Sequence, residues 1–174
     1  IAPDYYNKQL FGSQVDQEVF NRLVKAKFPE LFEHLKMIGM PLHLLTLSWF
    51  MTFLIDSIPW EASLIVFDNL LRNGTSILFQ VSLAILSMTY DKIMAEHSEN
   101  EQIPFIIREH PFEPYQLMRV AFTKFAYVDA ASIRRMRAEG KAARLSEMQE
   151  TTHKQLLVKV KRKFKNSWKE EQIE

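Results

Sequence analysis

The sequence predicts an all-α, multi-helix array of roughly seven helices, and three observations carry that expectation. Only four of the 174 residues are glycine while 47% are hydrophobic and 12% aromatic, a balance that suits packed helices and argues against a loop-rich or β-rich chain. Proline and glycine punctuate the first half at intervals long enough for a helix and too short for a domain. Between them, apolar residues return every three or four positions. The length suits one ordinary domain or a large part of a bigger one, and a chain opening on Ile1 is expected of a piece cut from something longer.

The first helix is expected over Gln14 to Lys27, where Val15, Val19, Phe20, Leu23 and Val24 share a face and Asp16, Arg22 and Lys25 lie elsewhere. Pro29 suits the first turn of a second, through Leu31, Phe32 and Leu35, that stops at Gly39. Leu42 to Ile55 is apolar nearly all round and should be buried on every side. Pro59 starts a fourth helix that Asn73-Gly74 ends, and Thr75 to Met94 is a fifth, again apolar until its charged end. Residues 96–113, with acidic residues and Pro104 and Pro111, read as an exposed linker. A short helix follows over Tyr115 to Tyr127. From Ala130 to about Asn166 no proline intervenes, and Leu145, Met148, Thr152, Leu156, Val160, Phe164 and Trp168 recur at helical spacing, so one or two long amphipathic helices are expected, broken at Gly140.

Without cysteine there is no disulfide framework, thiolate nucleophile or cysteine-based zinc site, which agrees with a cytoplasmic location. The net charge of +1 hides a division: from Asp129 onward 12 basic residues face 7 acidic ones, a net of +5, leaving residues 1–128 at −4. Lys159, Lys161, Arg162, Lys163 and Lys165, with Phe164 and Trp168, could grip nucleic acid or anionic lipid, but the solvated back of an amphipathic helix explains them more simply. Met37 to Ile55 carries no charge and approaches a membrane span in length; Pro41 should start a helix there, leaving too short a stretch, so a buried helix is the preferred reading. The opening residues show no charged n-region with a cleavage-site pattern.

No signature of catalysis stands out. A glycine-rich phosphate loop, Gly-x-Ser-x-Gly, His-Glu-x-x-His and a calcium loop are all missing. His34, His43, His97, His110 and His153 are scattered without ligand spacing, and Glu30/Glu33 and Glu170/Glu171 sit on polar faces or at a terminus. No catalytic, cofactor-binding or metal-binding residue is therefore assigned, and no cofactor is expected.

Four separated stretches resemble a TBC domain, the module that accelerates GTP hydrolysis by Rab-family GTPases. Pro3-Asp4-Tyr5-Tyr6-Asn7, Gly12 and Val15-Asp16-Gln17 before Val19-Phe20 are similar to the segment past the middle of that domain in its GRAM-domain subgroup. Pro29-Glu30-Leu31-Phe32-Glu33-His34-Leu35 resembles the family's Pro-x-Leu-x-x-His-Leu helix, and Leu47-Ser48-Trp49-Phe50-Met51-Thr52-Phe53 with Pro59 its Trp-Phe-x-Thr helix. Asp68, Gly74, Phe79 and Leu83-Ala84-Ile85-Leu86 then stand where the family has Asp…Gly…Leu-Ala-x-Leu.

The resemblance implies a two-lobed helical domain whose N-terminal lobe carries an arginine finger in Ile-x-x-Asp-x-x-Arg and a glutamine finger in Tyr-x-Gln. The arginine offsets charge on the transferred phosphoryl group and the glutamine orients the attacking water. Neither motif is met here: Ile65 and Asp68 are followed by Leu71 at the finger position, and Tyr115-Gln116 lacks the intervening residue. The expectation is the C-terminal lobe over residues 1–95, a linker over 96–113 and a basic helical extension over 114–174. The chain is then an enzyme activator's fragment and not itself an enzyme: it binds a Rab GTPase, or supports that binding, and stimulates hydrolysis only with an upstream lobe. Its setting is vesicle trafficking, cytoplasmic or peripheral to endomembranes, with membrane-surface association open, no nucleic-acid partner and no oligomeric state assigned. Two alternatives stand beside it: a scaffold that binds a Rab without activating it, and a helical membrane protein using Met37–Ile55 and Thr75–Tyr90 as arms.

Overall fold

A computed structural model of the chain describes Tyr5 and residues 10–97, 102–146 and 149–150. Seven helices run in order: α1 Phe11–Lys27, α2 Pro29–Met37, α3 Leu42–Thr52, α4 Trp60–Asn73, α5 Ser76–Ala95, α6 Gln102–Arg108 and α7 Pro114–Lys124. An eighth helical stretch, α8, covers 130–146, and no strand occurs among the described residues. The chain divides into two compact units, Ile1–Arg137 and Ala138–Glu174.

The boundaries follow local chemistry. Pro29 opens α2, where its missing N–H costs nothing. Gly74 ends α4 at φ 79°, a left-handed geometry that glycine adopts without strain. Glu113 caps α7, its carboxylate accepting from the amides of Tyr115 and Gln116. The carboxylate of Asp129 does the same for α8, accepting from Ser132 N at 2.7 Å, and this bond holds its pKa below the usual carboxylate value.

α5 is the axis of the core. Every residue from Ser76 to Leu86 is buried, and α2, α4, α6 and α7 all pack against it. α1 lies on α2 and α3. Where α1, α3 and α5 converge, Phe20, Phe50 and Phe79 form a triad with centroids 5.4, 6.4 and 5.0 Å apart. Beside it Gln17 and Thr46 satisfy each other: Gln17 Nε2 donates to the Thr46 carbonyl at 3.2 Å, and Thr46 Oγ1 donates to Gln17 Oε1 at 2.8 Å.

α3 corrects one expectation. Leu42, Leu45, Thr46, Trp49 and Phe50 are buried, but His43, Leu44, Leu47 and Ser48 face solvent, so the helix is covered on one side only. It also ends at Thr52, because Phe53 and Leu54 both turn left-handed at φ 55° and 69°. Such geometry costs bulky residues about 1–2 kcal/mol each. The full burial of Leu54 and its amide's bond to the Trp49 carbonyl at 2.9 Å offset that cost.

The exposed linker expected over 96–113 does not hold for its described part, 102–113. Within it α6 forms, and Ile103, Ile107 and Phe112 are buried. Pro104 lies in the first turn, where its lack of an N–H is harmless, so the proline that suggested a connector starts a helix. α7 likewise belongs to the same unit as α1–α5, with Leu117, Ala121 and Phe125 fully buried, so no structural boundary falls at residue 114. Gly140 does not break α8: the residues around it, from Ala138 to Arg144, are good helix formers and outweigh a single glycine's cost of about 1 kcal/mol. The rest of the expected long helix, past residue 150, lies outside the described residues.

Asp16, expected on a solvent face of α1, is buried. Arg137 grips it from α8, with Nε donating to Oδ1 at 2.6 Å and Nη2 to Oδ2 at 2.7 Å. The same guanidinium donates to Thr75 Oγ1 at 3.0 Å and stacks over the Phe79 ring at 5.5 Å. Removing one partner strands the other's charge in a poorly solvated place. Arg137→Ala is therefore expected to cost about 3 kcal/mol in urea unfolding, and Asp16→Asn with Arg137→Met to recover much of it. Phe112→Ala should cost about 3 kcal/mol as well; a change under about 0.5 kcal/mol would return 96–113 to the status of a linker.

Candidate interaction surface

The residues that carried the family resemblance build the core. Leu31 and Leu35 of α2, Trp49 and Phe50 of α3, and Phe79 and Leu83 to Leu86 of α5 are buried. His34 is buried too, its Nε2 3.0 Å from the Ile93 carbonyl, which ties α2 to the end of α5. Thr52 Oγ1 donates to the Ser48 carbonyl at 2.9 Å within α3. Asp68 faces solvent. On α4, Leu71 and Arg72 are both exposed; consecutive helix residues point about 100° apart, so Arg72 cannot stand in for a finger at Leu71.

The remaining titratable groups assemble no reactive centre. The His34 and His97 rings lie 5.9 Å apart, and among the described residues no group of three or more His, Cys, Asp or Glu is gathered where a metal could sit. His110 lies against Phe112 with Nδ1 3.4 Å from Lys92 Nζ; burial, and then the lysine charge, hold its pKa below the usual histidine value. His43 is exposed. His153 and the basic run Lys159 to Lys165 lie outside the described residues.

What distinguishes the surface is α4. Its inward face is small, consisting of Ala62, Ser63, Val66 and Leu70. Its outward face is large: Trp60, Leu64, Phe67 and Leu71 recur at four, three and four residues and are 60%, 47%, 38% and 71% exposed. Glu61 and Asp68 of the same helix are exposed as well. Met37 at the end of α2, Leu44 and Leu47 of α3, and Ile55 after it are exposed too. Large aromatic and aliphatic side chains yield the most free energy when buried, so a helix that buries its small side and bares its bulky one fits a surface completed by another body. Sequence reading missed the stripe, although its spacing was visible: α4 carries two apolar faces, and the ordinary rule assigns the bulkier one to the core.

This helical array and its core-forming motifs define a class, and comparison with known proteins identifies it: residues 2–94 match the Rab-GTPase-TBC domain, and the chain belongs to that family. It is 30% identical over 140 residues to a TBC domain-containing protein of Schizosaccharomyces pombe, which covers 79% of this chain and 18% of that protein. It is 29% identical over 172 residues to an Emericella nidulans protein whose name puts it among candidate GTPase-activating proteins, covering 86% of this chain and 15% of the relative. TBC1 domain family member 2B of Xenopus tropicalis is 34% identical over 91 residues, 52% of this chain and 10% of that protein. The chain thus spans less than a fifth of the length of these curated relatives. No solved structure matches it significantly.

A bare stripe of this size should make the isolated chain self-associate. Leu64→Glu with Phe67→Glu is expected to shift sedimentation toward monomer while moving unfolding free energy by about 0.5 kcal/mol or less.

Proposed function

We propose that this chain is the C-terminal lobe of a TBC domain in a Rab GTPase-activating protein of the GRAM-domain subgroup, supporting the GTPase-binding surface while an upstream lobe supplies the arginine and glutamine fingers. One observation carries this reading: the inverted α4, whose bulky face of Trp60, Leu64, Phe67 and Leu71 lies open while its small face is buried. A lobe packed there would complete the burial that the chain leaves unfinished. Family membership supports the activity, and Leu71 in place of an arginine after Ile65-x-x-Asp68 argues that the finger lies elsewhere. The same reading puts the parent protein in the cytoplasm, peripheral to trafficking membranes.

The membrane alternative is disfavoured by two features. α3 has 11 helical residues, about 17 Å, roughly half of a bilayer's hydrocarbon core. α5 is long and apolar enough to cross a membrane, but 67% of that apolar window is buried inside the protein. A helix wrapped by its own protein has little surface left for lipid.

Single-turnover GTP hydrolysis across a panel of Rab proteins tests the proposal. This chain alone should leave every intrinsic rate unchanged, whereas the chain rejoined to the upstream segment of its parent should raise one of them by about 10³-fold or more. Binding without acceleration by the rejoined protein would identify a non-activating scaffold. Acceleration by this chain alone would overturn the assignment of the fingers to another lobe.

A further inference from the structure

A cavity of about 400 Å³ opens where the end of α1, the start of α2 and the later turns of α5 meet, and its lining includes Lys27, Phe28, Glu30, Ser87, Tyr90 and Asp91. One wall is aromatic: the Phe28 and Tyr90 rings lie 6.0 Å apart at 41°, and the Phe125 ring meets Phe28 edge-on at 6.1 Å. Tyr90 Oη donates to Glu30 Oε2 at 3.1 Å, joining α5 to α2 and leaving Oε1 of that carboxylate open. Among the described residues neither Glu30 nor Asp91 makes an ion pair, and neither does Lys27 on the same rim. Two carboxylates thus face one ammonium.

We infer that this cavity receives the guanidinium of an arginine side chain carried by a partner protein. The aromatic wall offers π-faces for a flat cation, and Glu30 Oε1 and Asp91 offer acceptors for its N–H groups. A planar guanidinium can stack on a ring while its edge N–H groups donate to a carboxylate, a combination that a compact ammonium cannot match. An anionic headgroup or phosphate would meet two carboxylates, so a lipid surface is the wrong occupant. The phenol of Tyr90 reports the local environment: burial, then its bond to Glu30, then the charges of Glu30 and Asp91 all raise its pKa. Lys27 gives the inference its sharpest consequence, because it competes with an incoming cation. Losing Lys27 should strengthen binding, while losing Asp91 should weaken it.

The test is amide chemical-shift titration of the full chain with the capped peptide acetyl-Gly-Gly-Arg-Gly-Gly-amide at low salt. Saturable shifts are expected at Lys27, Phe28, Glu30, Ser87, Tyr90 and Asp91. Asp91→Asn should weaken binding by about threefold and Lys27→Ala tighten it by a similar factor, as expected for exposed charge pairs. These substitutions are at exposed positions, so the fold should persist and can be checked from the remaining spectrum. The citrulline analogue, equal in shape and uncharged, should move none of those amides. Absent shifts, equal shifts from citrulline, unchanged affinity in Asp91→Asn or weaker binding in Lys27→Ala would each overturn the inference. Tighter binding of free arginine than of the peptide would overturn the choice of a protein partner.

Discussion

The need to bury α5 on every side governs this molecule. Its first eleven residues are buried without interruption, so no face is left for water and neighbours must close around the whole circumference. α2, α4, α6 and α7 supply those neighbours, and α1 and α3 reach the same core through the phenylalanine triad. That demand recruits residues beyond the family match at 2–94: α6 and α7 complete the wall, and Gln80 of α5 donates to the Val128 carbonyl at 3.0 Å just past α7. A buried polar group on the axis thereby fixes the path of the chain after the last packed helix.

Much of this was legible in the residues, because helix periodicity and proline-glycine punctuation are local signals. Pro29, Gly74 and the apolar run after Thr75 each marked its boundary within a residue or two. The failures are all tertiary. Proline as a helix breaker and proline as a first-turn residue look alike in sequence, and what decides between them at Pro104 is the core space that Ile103 and Ile107 fill. Periodicity set Asp16 apart from the apolar face of α1, and the partner that lets it be buried stands 121 positions away. Phe53 and Leu54 belonged on paper to a helix, yet the burial of Leu54 favours a left-handed turn that their side chains disfavour.

The candidate surface was less legible for a different reason. Binary pattern tells which faces of α4 are apolar but not which of two apolar faces turns inward. The structure resolves it against the usual size rule: Ala62, Ser63, Val66 and Leu70 turn inward where α4 packs on α5 and α7, and the bulkier residues are left outside. The small side chains are therefore as informative as the large ones, since close helix approach requires them.

The Arg137–Asp16 pair also bears on how the protein is made. A ribosome delivers residues in order, at about 5–20 per second, so Arg137 emerges on the order of ten seconds after Asp16. Until then the bidentate grip on Asp16 cannot form, whatever hydrophobic contacts α1 has already made.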